Sequence, residues 1–339
     1  MIIQTLQIKG RPLPPVTATP LTREAFAPFG SVVSNPAPDS LPHNTPPPAV
    51  AATLPCDAKS ANQGSAIQYR DLGAVRNLYP AAAAAAAAGS STPATPRLTM
   101  FVSGARELRE AGGDGGENGE EKGGGSGGGI FEVKILERHP FTTQTFCPLG
   151  VDPSSTRRYV VIVAPSIPPP PPPSSSSSLT SSPDTVFDSA DSNDDAFLPG
   201  GGEEGESEGG NGPDLLKRGW PDLRGLRAFV VAGNQAVTYG AGTWHAPMVV
   251  LGPAGSAIDF VVTQFANGVD VEDCQEVVLR RKRNDDGSNR GGSGGSSSRD
   301  STRSGGEGED HDDSSGIWVR IPAAADDDNH NKSATLSKL

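Results

Sequence analysis

Four blocks of low-complexity sequence interrupt this chain of 339 residues, and they limit its folding more than any other feature. Ala81–Ala88 is a run of alanines with a Ser/Thr/Pro continuation to Pro96. Arg109–Gly129 is built of Gly, Glu and Asp. Ser166–Pro213 holds consecutive prolines, a serine run and then acidic, Gly-rich sequence. Asn284–Ser315 returns to Gly, Ser, Asp and Arg. Segments of this kind carry too little apolar surface to offset chain entropy, so they read as solvated linkers or loop extensions. With the blocks set aside, about 200 residues remain in islands at 1–80, 97–108, 130–165, 214–283 and near 317–322. Length alone suggests two domains, yet no island is long enough to be one. Together they make one core with insertions at loop tips, where chain-entropy costs are small. The expectation is a single domain over 1–283, interrupted at 81–96, 109–129 and 166–213. A mostly disordered tail over 284–339 follows, with a short strand at 317–322.

The islands read as strands. Apolar and polar residues alternate from Phe131 to Ile135, and Thr142–Pro148 continues with Gln144 and Phe146 on one face. Tyr159–Ala164 (YVVIVA) is a continuous β-branched run, as a strand covered on both faces requires. Ala228–Ala232, Ala236–Tyr239, Pro247–Leu251 and Ile258–Phe265 are further short strands between Gly, Asn and Pro turn signals. Thr22 is placed to cap a short helix over the following REAF. Many short strands with little helical periodicity predict an all-β barrel or sandwich.

Composition narrows the functional classes. The net charge is −12, with no basic face, which argues against nucleic acid or an anionic membrane as partner. The Arg280–Arg283 run opens into Ser/Gly-rich sequence and reads as a solvated tail. Cys56, Cys147 and Cys274 show neither a disulfide framework nor a zinc spacing, which suits a reducing compartment. No apolar run approaches the roughly 20 residues needed to span a bilayer, and MIIQTLQIKG lacks the pattern of a signal peptide. The expected location is the cytoplasm.

The polar chemistry concentrates in two segments, ILERHPFTTQTFCPLG at 135–150 and GNQAVTYGAGTWHAP at 233–247. If the period of two holds, Phe131, Val133, Ile135, Glu137 and His139 share one inward face. Gln144 returns toward the same space after a bend at Pro140, and a Gly-rich turn brings Trp244 and His245 back to the core. Glu-x-His-x4-Gln followed by Gly-x2-His resembles the two metal-binding motifs of the cupin superfamily, although Glu137 and Gln144 depart from its usual ligand types. Glu137, His139, Gln144 and His245 are therefore the candidate ligands for a divalent metal. Metal-free acid/base catalysis by the same side chains is the competing reading, because His139 and His245 can titrate near neutral pH.

Longer phrases sharpen the resemblance. LERHPFTTQTFCPL, RYVVIVAP, PDLRGLRAFVVAGNQAVTYGAGTWHAP and DFVVTQF follow one another in the order of the ureidoglycolate lyase family. LTREAFAPFGSVV and NQGSAIQYRDLG precede them. The matching phrases cover most of the core and none of the insertions. The resemblance implies a cupin-like jelly-roll barrel with a few short helices. It also implies a homodimer and the cleavage of (S)-ureidoglycolate to glyoxylate and urea in allantoin (purine) catabolism.

Elimination from this carboxylated carbinolamine needs a proton acceptor for the hydroxyl, a donor for the departing nitrogen, and a group to hold the carboxylate. His139, His245 and Glu137 are the expected catalytic groups. Asn62, Arg70, Arg106, Gln144, Tyr239 and Trp244 are the expected substrate contacts. Two positions depart from the family: Ala246 stands where a second His often follows the Trp-His pair, and Gly104 where an Arg is expected. The carboxylate anchor is thereby left open among Arg106, Arg70 and Arg138. Two other functions fit the residues: a different cupin-type metal-dependent reaction, or a scaffold acting through its Pro/Ser/acidic insertions.

Overall fold

A computed structural model describes residues 2–8, 12–85, 90–110, 128–151, 157–167, 219–281 and 314–323. Most of the 109–129 and 166–213 insertions, and most of the 284–339 tail, lie outside the described residues. The fold is all-β and cupin-like.

An eight-stranded sheet runs in the order Ile2–Ile8, Gln275–Arg281, Ile135–Arg138, Trp244–His245, Arg158–Ala164, Arg227–Ala232 and Thr19–Pro20. Val249–Leu251 also pairs with Arg158–Ala164. A five-stranded sheet faces it, in the order Gly30–Val33, Ala236–Tyr239, Gln144–Leu149, Ala257–Ala266 and Thr95–Gly104. Val16–Thr17, Trp318–Ile321 and Gly129–Glu132 form a third, smaller sheet. The strand expected at 317–322 is thus present and paired within the barrel.

Within the strand Arg158–Ala164, the segment Tyr159–Ala164 shows why its sequence carries no charge. Tyr159, Val161 and Val163 pack with Phe26, Phe146, Phe229 and Phe260 in one core cluster. Val160, Ile162 and Ala164 pack with Leu136, Trp244, Leu279 and Val319 in a second. Successive side chains point to opposite faces, so a strand between two cores has no polar position. The short helix Arg23–Phe26 begins as expected, with the Thr22 hydroxyl accepting from Ala25 N at 3.1 Å and Phe26 buried in the first cluster.

Two expectations are corrected. The single alternating face from Phe131 to His139 does not form. Gly129–Glu132 pairs with Trp318–Ile321, whereas Ile135–Arg138 pairs with Gln275–Arg281. The change of partner leaves Val133 and Lys134 between strands and reverses the phase, because each strand's side chains have a period of two. Val133 and Leu136 consequently share a core cluster, while Glu137 points to the other side. The alanine run is also not wholly outside the fold. Tyr79–Ala84 is helical, Ala82 packs on Tyr79 and Phe141, and Thr95 and Pro96 already belong to a strand.

Candidate active site

His245 and Glu137 are directly opposed partners on neighbouring antiparallel strands. Partners of this kind project to the same face, and this face looks toward the five-stranded sheet. There Tyr239 lies flat on the His245 ring, with centroids 4.0 Å apart and planes at 12°. His139 follows the end of Ile135–Arg138, and its ring comes within 5.6 Å of the His245 ring. Glu137, His139 and His245 each offer a ligand atom, and the three atoms lie within 4.8 Å of one another. Residues more than a hundred positions apart therefore converge between two sheets.

The hydrogen bonding of the two histidines fixes their tautomers. Nδ1 of His139 lies 2.6 Å from the Asp273 carbonyl oxygen, and Nδ1 of His245 lies 3.0 Å from that of Thr243. A carbonyl only accepts, so each Nδ1 carries the hydrogen and each neutral ring presents a bare lone pair at Nε2. Both Nε2 atoms are buried without a hydrogen-bond partner. Glu137 Oε1 lies 3.4 Å from His245 Nε2, which is long for a hydrogen bond.

The electrostatics keep His139 neutral. Burial, then the neighbouring His245, pushes His139 down to about 4, against the pull of Glu137. Burial by itself raises the Glu137 carboxyl, but His245 and His139 outweigh it and hold the group below its usual range. At neutral pH the cluster therefore offers a carboxylate beside a neutral His139. Burial, and then Glu137, pushes the nearby Cys274 thiol up to about 12, so that thiol stays protonated.

The other expected site residues divide. Tyr239 and Gln144 are paired across the five-stranded sheet and face this space. Gln144 Nε2 donates to Gln264 Oε1 at 2.6 Å, while Gln144 Oε1 is buried without a partner. Trp244 does not line the space: one residue from His245 on a strand, it points the opposite way into the second core cluster. Arg138, whose guanidinium lies 4.5 Å over the Trp244 ring, also donates to Gln275 Oε1 and the Gly219 carbonyl. It is a buried structural cation and no carboxylate anchor.

Arg106 lies over the Phe131 ring at 5.4 Å. Arg70 sits 3.9 Å from exposed Asp57. Asn62 adopts a left-handed turn conformation, with φ of 50°. Among the described residues none of these three hydrogen-bonds or ion-pairs with the histidine cluster. Ala246 faces the second core cluster with Trp244, and Gly104 pairs with Ala257 on the outward face of its strand. Neither departure from the family pattern alters a side chain directed at the cluster.

The sequence reading missed Asp273, whose carbonyl orients His139, and Gln264. No side-chain pattern could reveal a backbone acceptor. Gln264 was accessible in principle, as the polar end of the stripe Ile258, Phe260, Val262.

The comparisons with known proteins concur with this geometry. The profile of the family described as ureidoglycolate lyase matches residues 13–284. A ureidoglycolate lyase of Saccharomyces cerevisiae is 29% identical over 237 residues, covering 70% of this chain and 79% of that one. The ureidoglycolate lyase of Schizosaccharomyces pombe is 29% identical over 263 residues, covering 77% and 89%. With this match spanning the strands that carry Glu137, His139 and His245, the chain belongs to the ureidoglycolate lyase family.

Proposed function

We propose that the protein cleaves ureidoglycolate to glyoxylate and urea, with Glu137, His139 and His245 as its reaction centre. The observation that carries the reading is the pair of buried, unpartnered Nε2 atoms beside a carboxylate in a chain of this family. Leaving a buried polar atom unsatisfied costs about 1–3 kcal/mol, and two together with converging lone pairs mark a place built for a ligand.

The donor set of two imidazoles and one carboxylate fits a divalent cation. Glu137, His139 and His245 would hold it, and a bound ion would supply Lewis-acid stabilisation to the substrate oxygen. The Asp273 and Thr243 carbonyls keep both imidazoles in the ligating tautomer, and Tyr239 fixes the His245 ring by stacking. Gln144, on the facing sheet, is read as a hydrogen-bond partner of the substrate's ureido group through its free Oε1.

In the reaction the hydroxyl O–H and the C–N bond to urea break, while the aldehyde C=O and a new N–H bond form. No net oxidation occurs. Glu137 remains ionised and borders solvent, so it can accept the hydroxyl proton and return it to the departing nitrogen.

The reading implies consumption of the (S) enantiomer within purine nitrogen recovery. The cytoplasm suits three cysteines free of disulfides and the lack, among the described residues, of a helix long and apolar enough to cross a membrane. We take residues 1–283, completed by the strand Trp318–Ile321, as one catalytic domain, because the sheets draw strands from both ends of that span and Val319 packs in its core. A homodimer is supported by the edge strand Thr95–Gly104, which exposes Leu98, Met100 and Val102. This apolar row is symmetric about Met100 and so complements itself under a two-fold axis.

The test is purified protein with racemic ureidoglycolate, before and after dialysis against chelator. Equimolar urea and glyoxylate from half of the racemate is the expected result, and loss of activity on chelation with recovery on adding back a divalent ion supports the cation site. No urea release from folded, metal-supplied protein would overturn the assignment.

A further inference from the structure

We infer that Arg97, which projects from the outermost strand of the five-stranded sheet, holds the substrate carboxylate at the end of a polar row leading from the histidine cluster. The inference rests on the proposed reaction and supplies the anchor that Arg70, Arg106 and Arg138 do not provide.

Tyr239 pairs with Gln144, Gln144 donates to Gln264, and Gln264 pairs with Arg97. Antiparallel partners project to one face, so these four residues form a line across four adjacent strands. The line begins at the ring stacked on His245. An independent contact fixes the phase: Phe101, four residues beyond Arg97, meets the ring of Phe146, two beyond Gln144, at 5.8 Å. Even offsets keep a strand residue on the same face. With strands about 4.8 Å apart, the Arg97 backbone lies about 10 Å from that of Gln144, a span that an arginine and a small substrate close between them.

The chemistry along the row is graded. Gln144 Oε1 is a buried acceptor without a partner, suited to a ureido N–H. Arg97 is exposed and, among the described residues, has neither a hydrogen bond nor an ion pair. Guanidinium binds carboxylate through two parallel N–H bonds, a geometry lysine lacks. In the substrate the carbinol carbon lies between the ureido group and the carboxylate, so with its N–H donors on Gln144 and its carboxylate on Arg97 the hydroxyl can turn toward the cluster on the facing sheet.

The experiment compares the parent protein with Arg97→Gln and Arg97→Lys. Exposure weakens an ion pair, so the expected rise in KM for Arg97→Gln is about 10-fold, with kcat near the parent value. Inhibition by oxamate, which carries a carboxylate, should weaken by the same factor. Inhibition by neutral acetylurea should not change, and Arg97→Lys should recover part of the loss. An unchanged KM, or equal weakening of both inhibitors, overturns the role. If the parent protein releases no urea, the reaction assignment has failed by itself. Calorimetric binding of oxamate and acetylurea to parent and variant then still decides whether Arg97 is a carboxylate site.

Discussion

His245 and Trp244 are adjacent in sequence and both fully buried, yet the structure predicts opposite consequences for replacing them. His245→Gln removes the imidazole while keeping an amide of similar size. It forfeits the stacking on Tyr239 at 4.0 Å, worth about 0.5–1.5 kcal/mol beyond burial. A loss of that size lowers Tm by only a few degrees in a core of about 200 residues. Turnover should nevertheless fall at least about 100-fold, the range for loss of a positioned proton-transfer or ligating group, and any divalent ion that co-purifies should be lost with it. Trp244→Phe perturbs the other face of the same strand. It loses the Arg138 contact at 4.5 Å, up to about 2 kcal/mol when desolvated, and leaves a cavity. It also removes the unpartnered Nε1, whose burial costs about 1–3 kcal/mol. The terms oppose each other, and the net loss should be about 1–2 kcal/mol. Thermal melts and urea release per folded molecule measure both variants. Near-normal turnover in His245→Gln, or a hundredfold loss in well-folded Trp244→Phe, would refute the assignment of faces.

Further outcomes follow from the same structure. His139→Ala should also cut turnover at least about 100-fold, measured as urea release at saturating substrate. Arg138→Ala should cost roughly 2–5 kcal/mol in denaturant unfolding, because its buried acceptors at Gln275 and Gly219 each lose a donor, at about 1–3 kcal/mol apiece. Alkylation by iodoacetamide at pH 8 should label exposed Cys147 and spare half-buried Cys274 until the protein unfolds, as peptide mass mapping can show. Met100→Arg should yield a monomer by sedimentation without loss of secondary structure, since it places two like charges together at the proposed two-fold axis.

The sequence carried much of this architecture because strand alternation and composition are local signals. The uninterrupted apolar run at 159–164 announced a strand between two cores, and Thr22 announced a helix start. The cluster of Glu137, His139 and His245 was legible because the three residues sit in distinctive phrases. What failed was phase. A two-residue break at Val133–Lys134 arises from a change of pairing partner far away in sequence, and nothing local encodes it. Arg138 shows the same limit: an arginine between a glutamate and a histidine looks like part of a charged site. Only the alternation within Ile135–Arg138, once its phase is known, turns it toward Trp244. Similarly, Gln264 and Arg97 gain meaning only from a register that joins strands more than a hundred residues apart.

That register also makes the longest insertion separable from the reaction. The described chain leaves the barrel at Ile167 and re-enters at Gly219, and the two ends already meet: Ile167 N donates to the Trp220 carbonyl at 2.8 Å, and Ser166 bridges Pro221. A hydrogen-bonded pair of chain ends is the geometry that a short turn closes. Replacing residues 168–218 with about four Gly/Ser/Asn residues should therefore leave Arg138 and its Gly219 acceptor in place and keep urea release at the parent rate. Each halving of a connection's length saves about 0.6 kcal/mol of closure entropy, so the shortened chain should gain up to about 2 kcal/mol. The comparison sets a barrel enzyme with dispensable insertions against a scaffold that works through its Pro/Ser/acidic sequence. A folded deletion variant with parent turnover supports the first. A folded variant that has lost urea release would show that residues 168–218 take part in the reaction, against the reading that confines the chemistry to the space between the two sheets.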